Sequence, residues 1–201
     1  MIEEEEKVKT QIGKELLNLN SMAKSLVYVP RMFTTEQFKE LVGEVPDDFD
    51  ETAKEFWEYV TKRLKAISNR IRWVYSDSFS KDEGKAPFQE EESTIVRELV
   101  KNGAQLQSVE DPILTAEVKA WLEMTKTSSN QVVRELYEES LKEISKQVID
   151  VIDQTLKNGE LGVLFIDSNL KISFPREMRI IRMFPFDPQD YLKRHQVKLR
   201  K

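Results

Sequence analysis

At 201 residues the chain suits one large domain or two small ones, and a single domain of that size buries roughly 70% of the surface its unfolded chain exposes. Charged residues at 33% against 39% hydrophobic residues describe a globular protein with a dense ionic surface, and a net charge of −5 excludes general attraction to phosphate backbones. With no cysteine and one histidine, His195 near the C-terminus, the chain has no disulfides, zinc-thiolate sites, thiol nucleophiles or multi-histidine metal centres, and little room for a serine-histidine triad.

The N-terminus opens on Glu3 to Glu6 rather than on a basic then apolar secretory pattern, and no run approaches the roughly 20 apolar residues of a membrane span. A cytoplasmic protein with no membrane contact is expected. Val8, Ile12, Leu16, Leu19 and Met22 mark an amphipathic helix, so residues 1–24 are read as an N-terminal helical arm and residues 25–201 as a single α/β domain. Two lobes, with Met1 to Asn20 docking late, are the alternative.

Leu26 to Val29 is a first strand ended by Pro30. Thr34 and Gln37 have capping-box spacing, which predicts a short helix closing at Gly43. Ala53, Phe56, Trp57, Val60, Leu64 and Ile67 then hold helical period, with Asp50 and Glu51 at the positive end of the dipole. Arg70 to Tyr75 is a second strand, Asp77 to Glu92 a polar loop, and Ile95, Val96, Leu99 and Val100 the inner face of a helix stopped by Asn102-Gly103. Ala104 to Val109 is a third strand. Asp111-Pro112 starts a helix with Leu114, Val118, Trp121 and Leu122 inward.

Ser129 to Ser168 organises the rest. Val133, Tyr137, Ser140, Leu141, Ile144, Val148, Val151, Ile152 and Thr155 form one stripe of a long helix, with Lys142, Glu143, Lys146 and Asp150 opposite and Asn158-Gly159 as the stop. Gly162 to Ile166 lacks alternation, as a strand covered on both faces does, and Arg179 to Phe184 is a last strand. Trp57, Trp73 and Trp121 read as core. The alternation of strands and helices predicts a mainly parallel five-stranded sheet with helices on both faces.

In such sheets ligands bind beyond the carboxyl ends of the strands. That rule selects Arg31 and Thr34 after strand one, Asp77 and Ser78 after strand two, Glu110 and Asp111 after strand three, and Asp167 and Asn169 after strand four. Carboxylates follow three strands in succession, so a divalent cation or an acid and base pair has candidate ligands there, although each carboxylate also has a local capping or turn role. No glycine-rich phosphate loop follows any strand.

Val27-Tyr28-Val29-Pro30 running into Phe33-Thr34, the Val109-Glu110-Asp111-Pro112 turn, and a long helix passing through Asn158-Gly159-Glu160 into Gly162 to Ile166 together resemble the TraB and Tiki group of α/β proteins. The resemblance implies a histidine shortly after the first strand and another after the glycine-led late strand in active members. Here those places hold Met32-Phe33 and Ser168-Asn169-Leu170, so it implies a member without metal-linked chemistry.

The function expected is therefore that of a noncatalytic or degenerate α/β protein with no cofactor, acting through self or partner association. The alternative is a divalent-metal hydrolase built on the strand-end carboxylates. Met183, Phe184 and Phe186 form an apolar cluster near the C-terminus with little chain left to cover it, which motivates a symmetric homodimer or cover by the N-terminal helix. The basic tail of Lys193, Arg194, Lys198, Arg200 and Lys201 reads as solvated, and nucleic acid is the weakest partner candidate.

Overall fold

The computed structural model describes residues 23–78, 90–127 and 129–198. The helix expected from Val8 to Met22 and most of the loop expected between Asp77 and Glu92 lie outside these residues. Five strands, β1 (Ser25–Arg31), β2 (Ile71–Ser76), β3 (Gln105–Ser108), β4 (Leu161–Asp167) and β5 (Arg179–Arg182), form one all-parallel sheet in the order β3-β2-β4-β1-β5. Among the described residues six α-helices accompany them: α1 (Thr35–Val42), α2 (Phe49–Ile67), α3 (Glu90–Lys101), α4 (Pro112–Thr127), α5 (Gln131–Thr155) and α6 (Pro188–Lys198). No helix among the described residues is long and apolar enough to cross a membrane.

Local chemistry explains most boundaries. Thr34 and Gln37 make the reciprocal capping box, and Gly43, at φ 95°, closes α1 with its N–H on the Lys39 carbonyl. Pro30 does not end β1, which runs on to Arg31. It shares the parity of Tyr28, whose carbonyl accepts from Met183 at 3.2 Å, so its missing N–H falls on the side where β5 has already ended. Gly159 takes φ 80° but does not cap α5: that helix ends at Thr155 with Leu156 extended, and Gly159 instead turns the chain into β4 while donating to the Ala23 carbonyl at 3.1 Å.

The sheet has two unequally covered faces. On one, Phe38, Phe56, Trp57, Leu64, Ile95, Leu99, Tyr191 and Leu192 from α1, α2, α3 and α6 bury Val27, Val29, Val74, Val163 and Phe165. On the other, among the described helices, α5 lays Val148 and Ile152 over Leu26, Tyr75, Leu164 and Ile166. Crossovers from β1 and β2 use the first face and those from β3 and β4 the second, as right-handed connections in opposite directions require.

α5 outreaches the sheet. Its 25 residues span about 37 Å, against about 23 Å for the seven of β4, so its first half stands beyond the strand ends and pairs with α4. Ser140 and the Trp121 indole both donate to Glu117 across and along this pair, at 3.0 Å each. None of α4 is buried, Leu122 is exposed, and Trp121 is only half-buried, so α4 does not reach the sheet core as its apolar period suggested.

The C-terminal cluster is covered by its own chain. Pro188 opens α6 behind Asp187, whose carboxylate accepts from the Gln189 N–H. Met183 is buried, and Phe186 meets Phe56 and Tyr191 at ring centroid distances of 5.5 and 5.9 Å. The expected need for an outside cover there is removed.

Candidate functional site

β1 sends its crossover to one face and β4 to the other, which makes their adjacent carboxyl ends the point where strand order reverses. Arg31 and Asp167 are register partners at that point. The Arg31 guanidinium donates through Nε to Glu92 Oε2 at 2.6 Å, and through Nη2 to Glu92 Oε1 at 3.1 Å and Asp77 Oδ1 at 2.6 Å. Ser76 Oγ donates to Glu92 Oε1 at 3.2 Å, and Asp77 Oδ2 accepts from the Asp167 N–H at 2.9 Å.

These links join the ends of three strands to the first turn of α3. The Glu92 side chain is fully buried, and those of Arg31 and Asp77 are 13% and 14% exposed. Burial alone would pull the Arg31 guanidinium down, but Asp77 and Glu92 outweigh it and hold it above its ordinary value. Glu92 also sits where a helix N-terminus favours negative charge.

Asp167 lies at the edge of this network. Its Oδ1 accepts from the Asn169 N–H and Nδ2 at 2.7 and 2.8 Å, and Asn169 Oδ1 accepts from Gln189 on α6 at 2.9 Å. Burial pushes the Asp167 carboxyl up, and Asp77 adds to the rise against the opposing pull of Asn169 and Arg31. The Tyr137 phenol on the overhanging α5 is raised by burial first and by the Asp167 charge second.

The structure therefore gathers Arg31, Asp77, Ser78, Asp167 and Asn169, with Ser78 donating its N–H to Ser76 Oγ at 3.1 Å. It does not bring in Thr34, which caps α1, or Asp111, which caps α4 by accepting from Ile113 and Leu114 at 2.9 and 3.1 Å. Glu110 donates its N–H to Ser108 at the end of the edge strand and stays out of the network. Glu92 was missed by the reading of Asp77 to Glu92 as a loop. Its signal was present, since it precedes Ile95, Val96 and Leu99 by three, four and seven residues and so shares their buried stripe.

The arrangement does not fit a metal. Arg31 occupies the space between Asp77 and Glu92, and among the described residues no three histidine, aspartate or glutamate side chains form a group able to hold an ion. Of the places where the TraB and Tiki resemblance puts histidines, Met32, Phe33 and Ser168 are buried and Asn169 is tied to Asp167. A groove of about 810 Å³ lies elsewhere, between α2 and α3, and its rim mixes Lys54, Lys62 and Lys65 with Glu58, Glu90 and Glu91. No family model matches the chain, and no curated protein and no solved structure matches it either.

Proposed function

We propose that this chain is a noncatalytic α/β protein, a degenerate relative of the TraB and Tiki group, that works by associating with a second copy of itself through α4. The observation that carries the reading is the closure of the strand-end crevice. The cation there is held by two carboxylates, and these are committed to it, Glu92 also to the Ser76 hydroxyl and Asp77 to the Asp167 N–H. A substrate would have to break a buried ion network before meeting a reactive group.

Association is supported by the outer face of α4. Ile113, Ala116, Ala120 and Met124 recur at helical spacing and are all exposed, Ile113 at 79% and Met124 at 46%. An antiparallel copy would set Ile113 against Met124 with the alanines at the crossing, the self-complementary arrangement that a two-fold axis needs.

The second reading, carboxylate chemistry at the strand ends, is favoured by one observation: Asp167 is desolvated, raised and adjacent to Asp77. Calorimetric titration with manganese, magnesium and calcium separates the two. The noncatalytic reading predicts no saturable heat. Saturable binding abolished by Asp167→Asn would overturn it.

A further inference from the structure

The net charge of −5 counts against binding of a polyanion by the surface as a whole, but the charge is not evenly placed. An all-parallel sheet gathers every strand entry at one end, and three neighbouring entries there are basic: Lys101 at the end of α3 leads to β3, Arg70 to β2 and Lys157 to β4. Arg72 joins them from within β2. Ile71 pairs with Leu161 and Trp73 with Gly162, so Arg72 has no place in the ladder and is pushed out as a bulge. The bulge also explains why Ile71 lies in the core beneath α2 and α3 while Trp73, two residues on, packs with the core beneath α5.

All four side chains are exposed, and none makes an ion pair or side-chain hydrogen bond among the described residues. The acids nearest them in the chain are already engaged. Lys65 holds Glu98 at 3.1 Å, Lys24 holds Asp153, and Arg31 holds Asp77 at the other end of the sheet. Glu160 accepts from the Trp73 indole at 3.2 Å and from the Lys157 N–H at 2.9 Å. Lys101 and Lys157 also complement the negative ends of α3 and α5, whereas Arg72 serves no helix end. At about 4.8 Å between strands, the three entries lie within about 10 Å, as a row that follows the order β3-β2-β4.

We propose that this row binds the phosphodiester backbone of a nucleic acid, without reading its bases. A phosphodiester strand carries evenly repeated charge whatever its sequence, and its paired phosphate oxygens match the guanidinium forks of Arg70 and Arg72. The overhang that carries α4 stands beyond the opposite ends of the strands, so both surfaces can be used at once.

Fluorescence anisotropy of a labelled oligo-uridine, titrated with the full chain over a series of salt concentrations, tests this. The logarithm of the affinity should fall against the logarithm of salt with a slope of about −3, which is about −0.7 for each phosphate met by the four cations. Arg72→Gln should make the slope shallower by about 0.7, and Lys101→Gln with Lys157→Gln by about 1.4, each with unchanged circular dichroism. Arg182→Gln, exposed at the carboxyl end of β5, should leave it unchanged. The lysine pair keeps the test valid if the bulge variant fails to fold. No saturable binding, or a parental slope in the folded variants, would overturn the proposal. Displacement of the oligo-uridine by polyglutamate at equal charge would assign the row to an acidic polypeptide and would overturn it too.

Discussion

Arg31 and Glu92, 61 residues apart in sequence, meet in a fork, Nε on Oε2 at 2.6 Å and Nη2 on Oε1 at 3.1 Å, with the glutamate wholly buried. A pair of this kind contributes little over an apolar replacement of both partners, but losing one partner strands a charge. Arg31→Met should therefore cost about 3–5 kcal/mol in urea unfolding, because it strands Glu92 and Asp77 together. Arg31→Lys should recover only part of that, since an ammonium cannot make the fork. A loss below about 1 kcal/mol for Arg31→Met would mean that the network does not hold the strand ends.

Asp167 gives a pH signature of the opposite sign to a salt-bridged carboxylate. Its folded carboxyl titrates above the ordinary value, chiefly through burial, so the folded chain holds more protons than the unfolded one between those two values. Stability should fall as pH rises through that window. Asp167→Asn keeps the oxygen that accepts from Asn169 and removes the charge, so at neutral pH it should be more stable than the parent, with the gain vanishing below the ordinary carboxylate range. Denaturation midpoints across pH check this, and a variant less stable at neutral pH would contradict it.

The fold was largely legible because its signals are local. The Thr34 box, the stop at Gly103 and the run from Gly162 to Ile166 each act through their own neighbours, and the structure places them as read. The site was legible by half. Topology brings Asp77 and Asp167 together, and the helical period of Ile95, Val96 and Leu99 marks Glu92 as inward, but its pairing with Arg31 from a distant strand is encoded by no local pattern. α4 misled for a related reason: its apolar period is real, yet it answers α5 rather than the sheet.

Gly162 sits where β4 has no room for a side chain between Tyr75 and Leu26. A Cβ there would lie 2.9 Å from Tyr75 Cε2 and 3.3 Å from Leu26 Cδ1, and Tyr75 is held by its hydroxyl at 2.7 Å from Thr155 Oγ1. Gly162→Ala should destabilise by about 1–3 kcal/mol, and Tyr75→Leu in the same chain should relieve part of the loss. Additive effects of the two changes would contradict the packing account.

Thr34 separates capping from ligand binding. Thr34→Ala should cost about 0.5–2 kcal/mol and Thr34→Ser almost nothing, because only the hydroxyl is used. Equal losses from both would assign the methyl group, not the cap, as what matters.

The claim that this chain acts by association through α4 is tested most directly by light scattering at micromolar concentration, on the parent and on an Ile113→Glu, Met124→Glu variant. The account predicts twice the mass of one chain for the parent and the mass of one chain for the variant, with unchanged circular dichroism. A parent at the mass of one chain, or a variant that remains dimeric, would contradict it.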